Sequence, residues 1–143
     1  MTPDVTEDLR GWLLEGDPAI RWRVLGCAEE RRRLATEGWA ARLLAAQDAS
    51  GGWGGGEYSP KWTSTTYTLL RLLWLGLAPG HPAALRGCDQ LWEWHARRRV
   101  RETCIVAMLT RLIGYFQYEA AGLDDLVAYL ASIQAPAEKK KAD

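Results

Sequence analysis

The chain has 143 residues and a mass of 16.0 kDa, which suits one domain with a real core and leaves no room for two. Hydrophobic residues make up 48% and charged residues 25%, which excludes disorder throughout. Lys+Arg and Asp+Glu both number 18, so the formal charge is zero; a nucleic-acid binder would carry a basic excess, and nucleic acid is disfavoured as a partner.

Helix signals dominate from the start. Thr2 before Pro3 reads as an N-cap with proline at the first helical position, and Val5, Leu9, Trp12 and Leu13 give an apolar face that Gly16 ends. Asp17-Pro18 repeats the start signal ahead of Ile20, Val24 and Cys27. A third helix is expected from about Glu29 to Ala46, apolar on more than one side. The stretch Asp48 to Pro60 holds Gly51, Gly52, Gly54, Gly55 and Gly56, a glycine density that no helix survives. Helical periodicity resumes from Thr63 to Leu77, with Tyr67, Leu70, Trp74 and Leu77 in line. After the turn Ala78-Pro79-Gly80, Pro82 opens a helix to His95, and Ala96 to Arg101 forms a basic connection. Two more helices follow, Glu102 to Gln117 and Leu123 to Gln134. No segment alternates with period two, so the chain reads as all-α with about seven helices: one domain over 1–134 and a solvated tail over 135–143.

The compartment reading is simple. The N-terminus carries Asp4, Glu7 and Asp8 and does not look like a signal peptide. The best apolar run, Leu69 to Leu77, is broken by Arg71 and falls short of a membrane span. Cys27, Cys88 and Cys104 are odd in number and widely spaced, so neither a disulfide framework nor a zinc knuckle is indicated. The expectation is a cytoplasmic protein with no membrane span.

Part of the chain repeats. Shifted by about 40 residues, Thr63, Leu69, Arg71, Leu72 and Leu73 fall on Thr103, Leu109, Arg111, Leu112 and Ile113. A shift near 38 aligns Leu85, Cys88, Trp92 and His95 with Leu123, Leu126, Leu130 and Ile133. A period near 40 with two helices per unit describes an array of helical hairpins.

Between two helices stands Gln47-Asp48-Ala49-Ser50-Gly51-Gly52-Trp53, or Q-x-x-x-G-x-W. It resembles the QW motif of the terpenoid cyclase and protein prenyltransferase superfamily. The segments Lys61 to Leu73 and Glu102 to Phe116 are similar to inner helices of that family, and Tyr129 to Gln134 matches the first half of a second motif. There Ala135-Pro136-Ala137-Glu138 replaces the expected Gly and Trp. The resemblance spans Trp39 to Gln134 and implies an α/α-toroid-like fold in which outer and inner helices alternate and the inner helices run parallel. It makes Gln47, Gly51, Trp53 and Gln134 structural: the glutamine would satisfy orphan groups at a helix end while the indole packs on it. The chain supplies about three hairpins, fewer than a closed ring needs, so a homo-oligomer or a partner chain is expected to complete the toroid.

The resemblance implies an isoprenoid-type, apolar ligand, with catalysis as the alternative and a purely structural interaction protein as the third reading. On that plan Thr63, Thr65 and Thr66 share a rim with Glu102, Thr103 and Cys104, above an apolar funnel. Glu102 is the single candidate acid, although a carboxylate at a helix N-terminus is held ionised and makes a poor proton donor. Tyr58, Trp62, Tyr67 and Trp74 could line an aromatic pocket, and Thr65, Thr103 and Cys104 are the other candidate contacts. Asp124-Asp125 lacks the rest of a D-x-D-D acid. Cys88 and His95 lie two helical turns apart, about 10 Å by rise, which is far for shared zinc ligation. No metal or other cofactor is implied. Arg31-Arg32-Arg33 and Arg97-Arg98-Arg99 read as solvated faces that, with Arg101, could also hold a diphosphate.

Overall fold

The computed structural model describes residues 5–134. The cap at Thr2 and Pro3 and the tail over 135–143 lie outside the described residues, as does the side chain of Gln134. Eight helical segments and no strand occur among the described residues: α1 (Val5–Leu14), α2 (Pro18–Leu25), α3 (Ala28–Arg33), α4 (Gly38–Ala45), α5 (Thr65–Leu75), α6 (Pro82–Arg98), α7 (Thr103–Phe116) and α8 (Leu123–Gln134). The fold is an all-α helical-hairpin fold.

The helix starts follow the sequence signals. Asp17 accepts a hydrogen bond from the Ala19 amide at 2.9 Å, with Pro18 at the first helical position, and His81 and Pro82 open α6 in the same way. Gly26 and Gly76 close α2 and α5 in the left-handed conformation.

The stretch expected as one helix over 29–46 is two. Gly38 has φ +74, and the second carboxylate oxygen of Asp17 accepts from the Trp39 amide at 2.8 Å. One aspartate therefore caps α2 locally and serves the start of α4 from 22 residues away. A Cβ on Gly38 would meet that carboxylate at 2.2 Å, so glycine is required there on two counts. The basic connection expected from Ala96 is helical as far as Arg98, and Arg99 closes α6 at φ 50.

The paired helices set the architecture. At one end, Tyr115 of α7 donates to the Leu77 carbonyl at 2.8 Å, and the Gly80 amide donates to Phe116 at 3.0 Å. At the other, the Thr65 and Thr66 amides of α5 bond Gly56 and Glu57, and Tyr58 shares a groove with Glu102. Hence α5 and α7 run parallel, side by side, as the 40-residue repeat requires. α6 runs back between their ends and packs on both, and α4 and α8 flank the pair. Leu69, Leu72, Leu112, Ile113 and Phe116 meet in a core with no exposure. Each contributes roughly 1.5–3 kcal/mol through burial.

Candidate functional site

The glycine-rich segment between α4 and α5 is ordered by side chains that the sequence motif marks. Gln47 donates through Nε2 to the Gly51 and Ala83 carbonyls, both at 2.7 Å, and its Oε1 accepts from Arg86 at 2.5 Å. The Trp53 indole donates to the Leu43 carbonyl near the end of α4 at 2.7 Å. The end of α4 is thus reached by the indole, which adds a second donor to a carbonyl that already accepts from the Ala46 amide at 3.2 Å, whereas the glutamine ties the loop to the first turn of α6. Trp53 is buried against Gly87, where a Cβ would lie 2.7 Å from the ring. Asp48 accepts from Ser50 and from the Gly52 amide, and these bonds hold its carboxyl below the usual range.

This loop also consumes some of the candidate ligand contacts. Thr65 is 1% exposed; its hydroxyl accepts from the Trp53 amide at 3.1 Å and donates to the Gly56 carbonyl at 3.2 Å. Thr66 is buried and donates to Glu57 at 2.6 Å. Expected at the ligand, Thr65 instead secures the loop on α5, because a hydroxyl beside carbonyl-rich glycine backbone finds its partners there.

The aromatic residues divide. Tyr58, Trp62 and Tyr67 form one cluster, with ring centroids 5.6 Å apart for Tyr58 and Tyr67 and 5.3 Å for Trp62 and Tyr67. The two tyrosine hydroxyls share a hydrogen bond of 3.3 Å. That bond, followed by burial, pushes the Tyr58 phenol up to about 12, so it offers a neutral hydroxyl rather than a charge. Trp62 is 61% exposed in a left-handed conformation, φ 72, costly for a bulky side chain. Trp74 stands two turns further along α5 and faces a different groove.

That groove lies between α4 and α5, open to solvent, with a volume of about 490 Å³. Trp39, Leu43, Trp74 and Leu75 supply its apolar wall, with Arg42 and Arg71 at its edges. Trp39 is 47% exposed and Trp74 51%, a large apolar surface for one small cleft. Among the described residues Arg71 has no hydrogen bond or ion pair to another side chain, and its repeat counterpart Arg111 has none either. Only part of this groove has a signal in the sequence: Arg71 and Trp74 lie at i and i+3 on one face of α5. Trp39 and Arg42 come from a helix whose start is set by Asp17, a contact that no local pattern announces.

At the rim, Glu102 is exposed and begins α7 without a side-chain cap bond, its carboxylate accepting from the Arg101 amide at 3.2 Å. Thr103 and Cys104 are exposed beside it. Cys88 is fully buried, and burial pushes its thiol up to about 12. His95 stacks on Trp92 with centroids 5.7 Å apart. Among the described residues no three His, Cys, Asp or Glu side chains come together to hold a metal ion. No helix of the described residues is long and apolar enough to cross a membrane. No family model, curated protein or solved structure matches the chain.

Proposed function

We propose that this protein is a non-catalytic helical-hairpin module, a partial α/α toroid, that binds an apolar, isoprenoid-type molecule in the groove between α4 and α5. The observation that carries the reading is the pair of half-exposed indoles, Trp39 and Trp74, facing one cleft of about 490 Å³. That volume suits a small ligand, and burying two indoles together with Leu43 and Leu75 supplies the driving force. Arg42 and Arg71 at the edges would take a polar head while their stems extend the apolar wall. A second copy or a partner chain closing the ring belongs to the same proposal, as does a cytoplasmic setting.

Support for catalysis is thinner. Glu102 stands exposed at the start of α7, outside any closed cavity that would shield a proton transfer from water. The test is to extract purified protein with organic solvent and identify what co-purifies by mass spectrometry. A prenyl-chain lipid at near-stoichiometric yield, lost in a Trp39→Ala/Trp74→Ala variant, is the expected result. Turnover of a prenyl diphosphate that disappears in Glu102→Gln would replace this reading with an enzyme. Neither lipid nor turnover would leave the structural-interaction reading.

A further inference from the structure

The junction between α6 and α7 concentrates charge that the fold itself does not answer. Arg97, Arg98, Arg99 and Arg101 fall within five residues of a chain whose formal charge is zero. Two of them have a structural reason: Arg97 and Arg98 sit in the last turn of α6, where a cation complements the helix dipole. Arg99 and Arg101 lie past the helix end and have no such reason. Arg97 pairs with Glu57 at 3.6 Å, whereas Arg98, Arg99 and Arg101 pair with no carboxylate among the described residues.

Arg98, Arg99 and Arg101 line one groove of about 760 Å³, and Arg99 and Arg101 also border a neighbouring groove that holds Asp125. The other charged groups of the first groove are Glu57, already held by Arg97, and Glu102. Three arginines therefore line the groove with one carboxylate that makes no ion pair among the described residues, and an anion would relieve the excess of positive charge. The same groove contains the Trp94 indole and the Tyr58 ring, both half-buried, with Val100 and Ile105 beside them. Guanidiniums match phosphate oxygens in paired hydrogen bonds, and an indole offers a face to a flat ring.

We propose that this groove binds a phosphorylated molecule carrying a flat ring, of the nucleotide class, with Arg98, Arg99 and Arg101 on the phosphate and Trp94 against the ring. The site shares no lining residue with the groove between α4 and α5, so it stands or falls apart from the apolar-ligand reading.

The shared chemistry of a phosphate ester also occurs in lipid headgroups, and the test separates the two sources. ADP, inorganic pyrophosphate and vesicles of neutral lipid doped with phosphatidate are each titrated into the full-length protein at low salt. The expected result is saturable ADP binding that weakens at least tenfold in Arg98→Gln/Arg99→Gln. Trp94→Ala should weaken ADP several-fold while leaving pyrophosphate unchanged. Far-UV circular dichroism identifies any misfolded variant, and Arg101→Gln then gives an independent reading of the same contact. Absence of saturable ADP binding, equal ADP binding in the arginine variants, or binding confined to the phosphatidate vesicles would overturn the proposal.

Discussion

The two ends of the α5–α7 pair treat their arginines in opposite ways. Where the helices finish, Arg31 donates to the Gly76 carbonyl at 3.0 Å and to the Tyr115 hydroxyl at 3.1 Å, and lies 5.0 Å from the centre of the Trp22 ring. Tyr115 passes its own proton to Leu77 at 2.8 Å, and Arg23 donates to the Trp74 carbonyl. Here guanidiniums satisfy the orphan carbonyls that end α5, so they belong to the scaffold. Where the helices begin, the side chains of Arg98, Arg99 and Arg101 make no hydrogen bond or ion pair among the described residues and line an open groove. The same side chain is structural at one end and available at the other, and the difference lies in whether a buried carbonyl needs it.

Substitutions can break that contrast or sharpen it. The largest effect is expected at the staple linking α4 to α5. Trp53→Ala removes a buried indole and the side-chain hydrogen bond it gives the Leu43 carbonyl, a loss of about 3–5 kcal/mol read from the denaturant midpoint. At the tied end, Arg31→Met keeps the apolar stem but abandons two acceptors, and should cost about 1–2 kcal/mol. At the open end, Arg98→Gln should change stability by less than about 0.5 kcal/mol. Equal costs at Arg31 and Arg98 would erase the distinction.

Smallest at neutral pH is the effect of the core's own titration, which is felt only above pH 9. Burial raises the Cys88 thiol from an ordinary value of 9.0 to about 12. Between those values the folded chain keeps a proton that the unfolded chain surrenders. The contribution is thus complete below pH 9 and is lost as pH climbs toward 12. A stability profile across that window should fall less steeply in Cys88→Ala. In the native protein at pH 8, a thiol reagent should label the exposed Cys104 and leave Cys88 untouched until the chain unfolds.

Much of this fold was legible because its signals are local. Asp17-Pro18, Pro82, Gly26 and Gly76 act on neighbouring backbone, and the helices they bound lie near where the sequence placed them. The division of 29–46 was hidden because its cause is remote: the Asp17 carboxylate, 22 residues upstream, receives the Trp39 amide. The site was legible in part. Tyr58, Trp62 and Tyr67 do gather, since the loop returns to the start of α5. Thr65 carried no mark that would distinguish a loop anchor from a ligand contact, because a hydroxyl serves either role and only its neighbours decide. The groove of Trp39 and Trp74 depends on how α4 is laid against α5, which periodicity on either helix alone does not fix.

The proposed binding of an apolar ligand between Trp39 and Trp74 is open to a fluorescence titration with farnesol. Saturable quenching of the wild-type protein, absent from Trp39→Ala/Trp74→Ala but retained in Trp62→Ala, is the predicted result. Quenching that is unsaturable, or that survives loss of both Trp39 and Trp74, would contradict it.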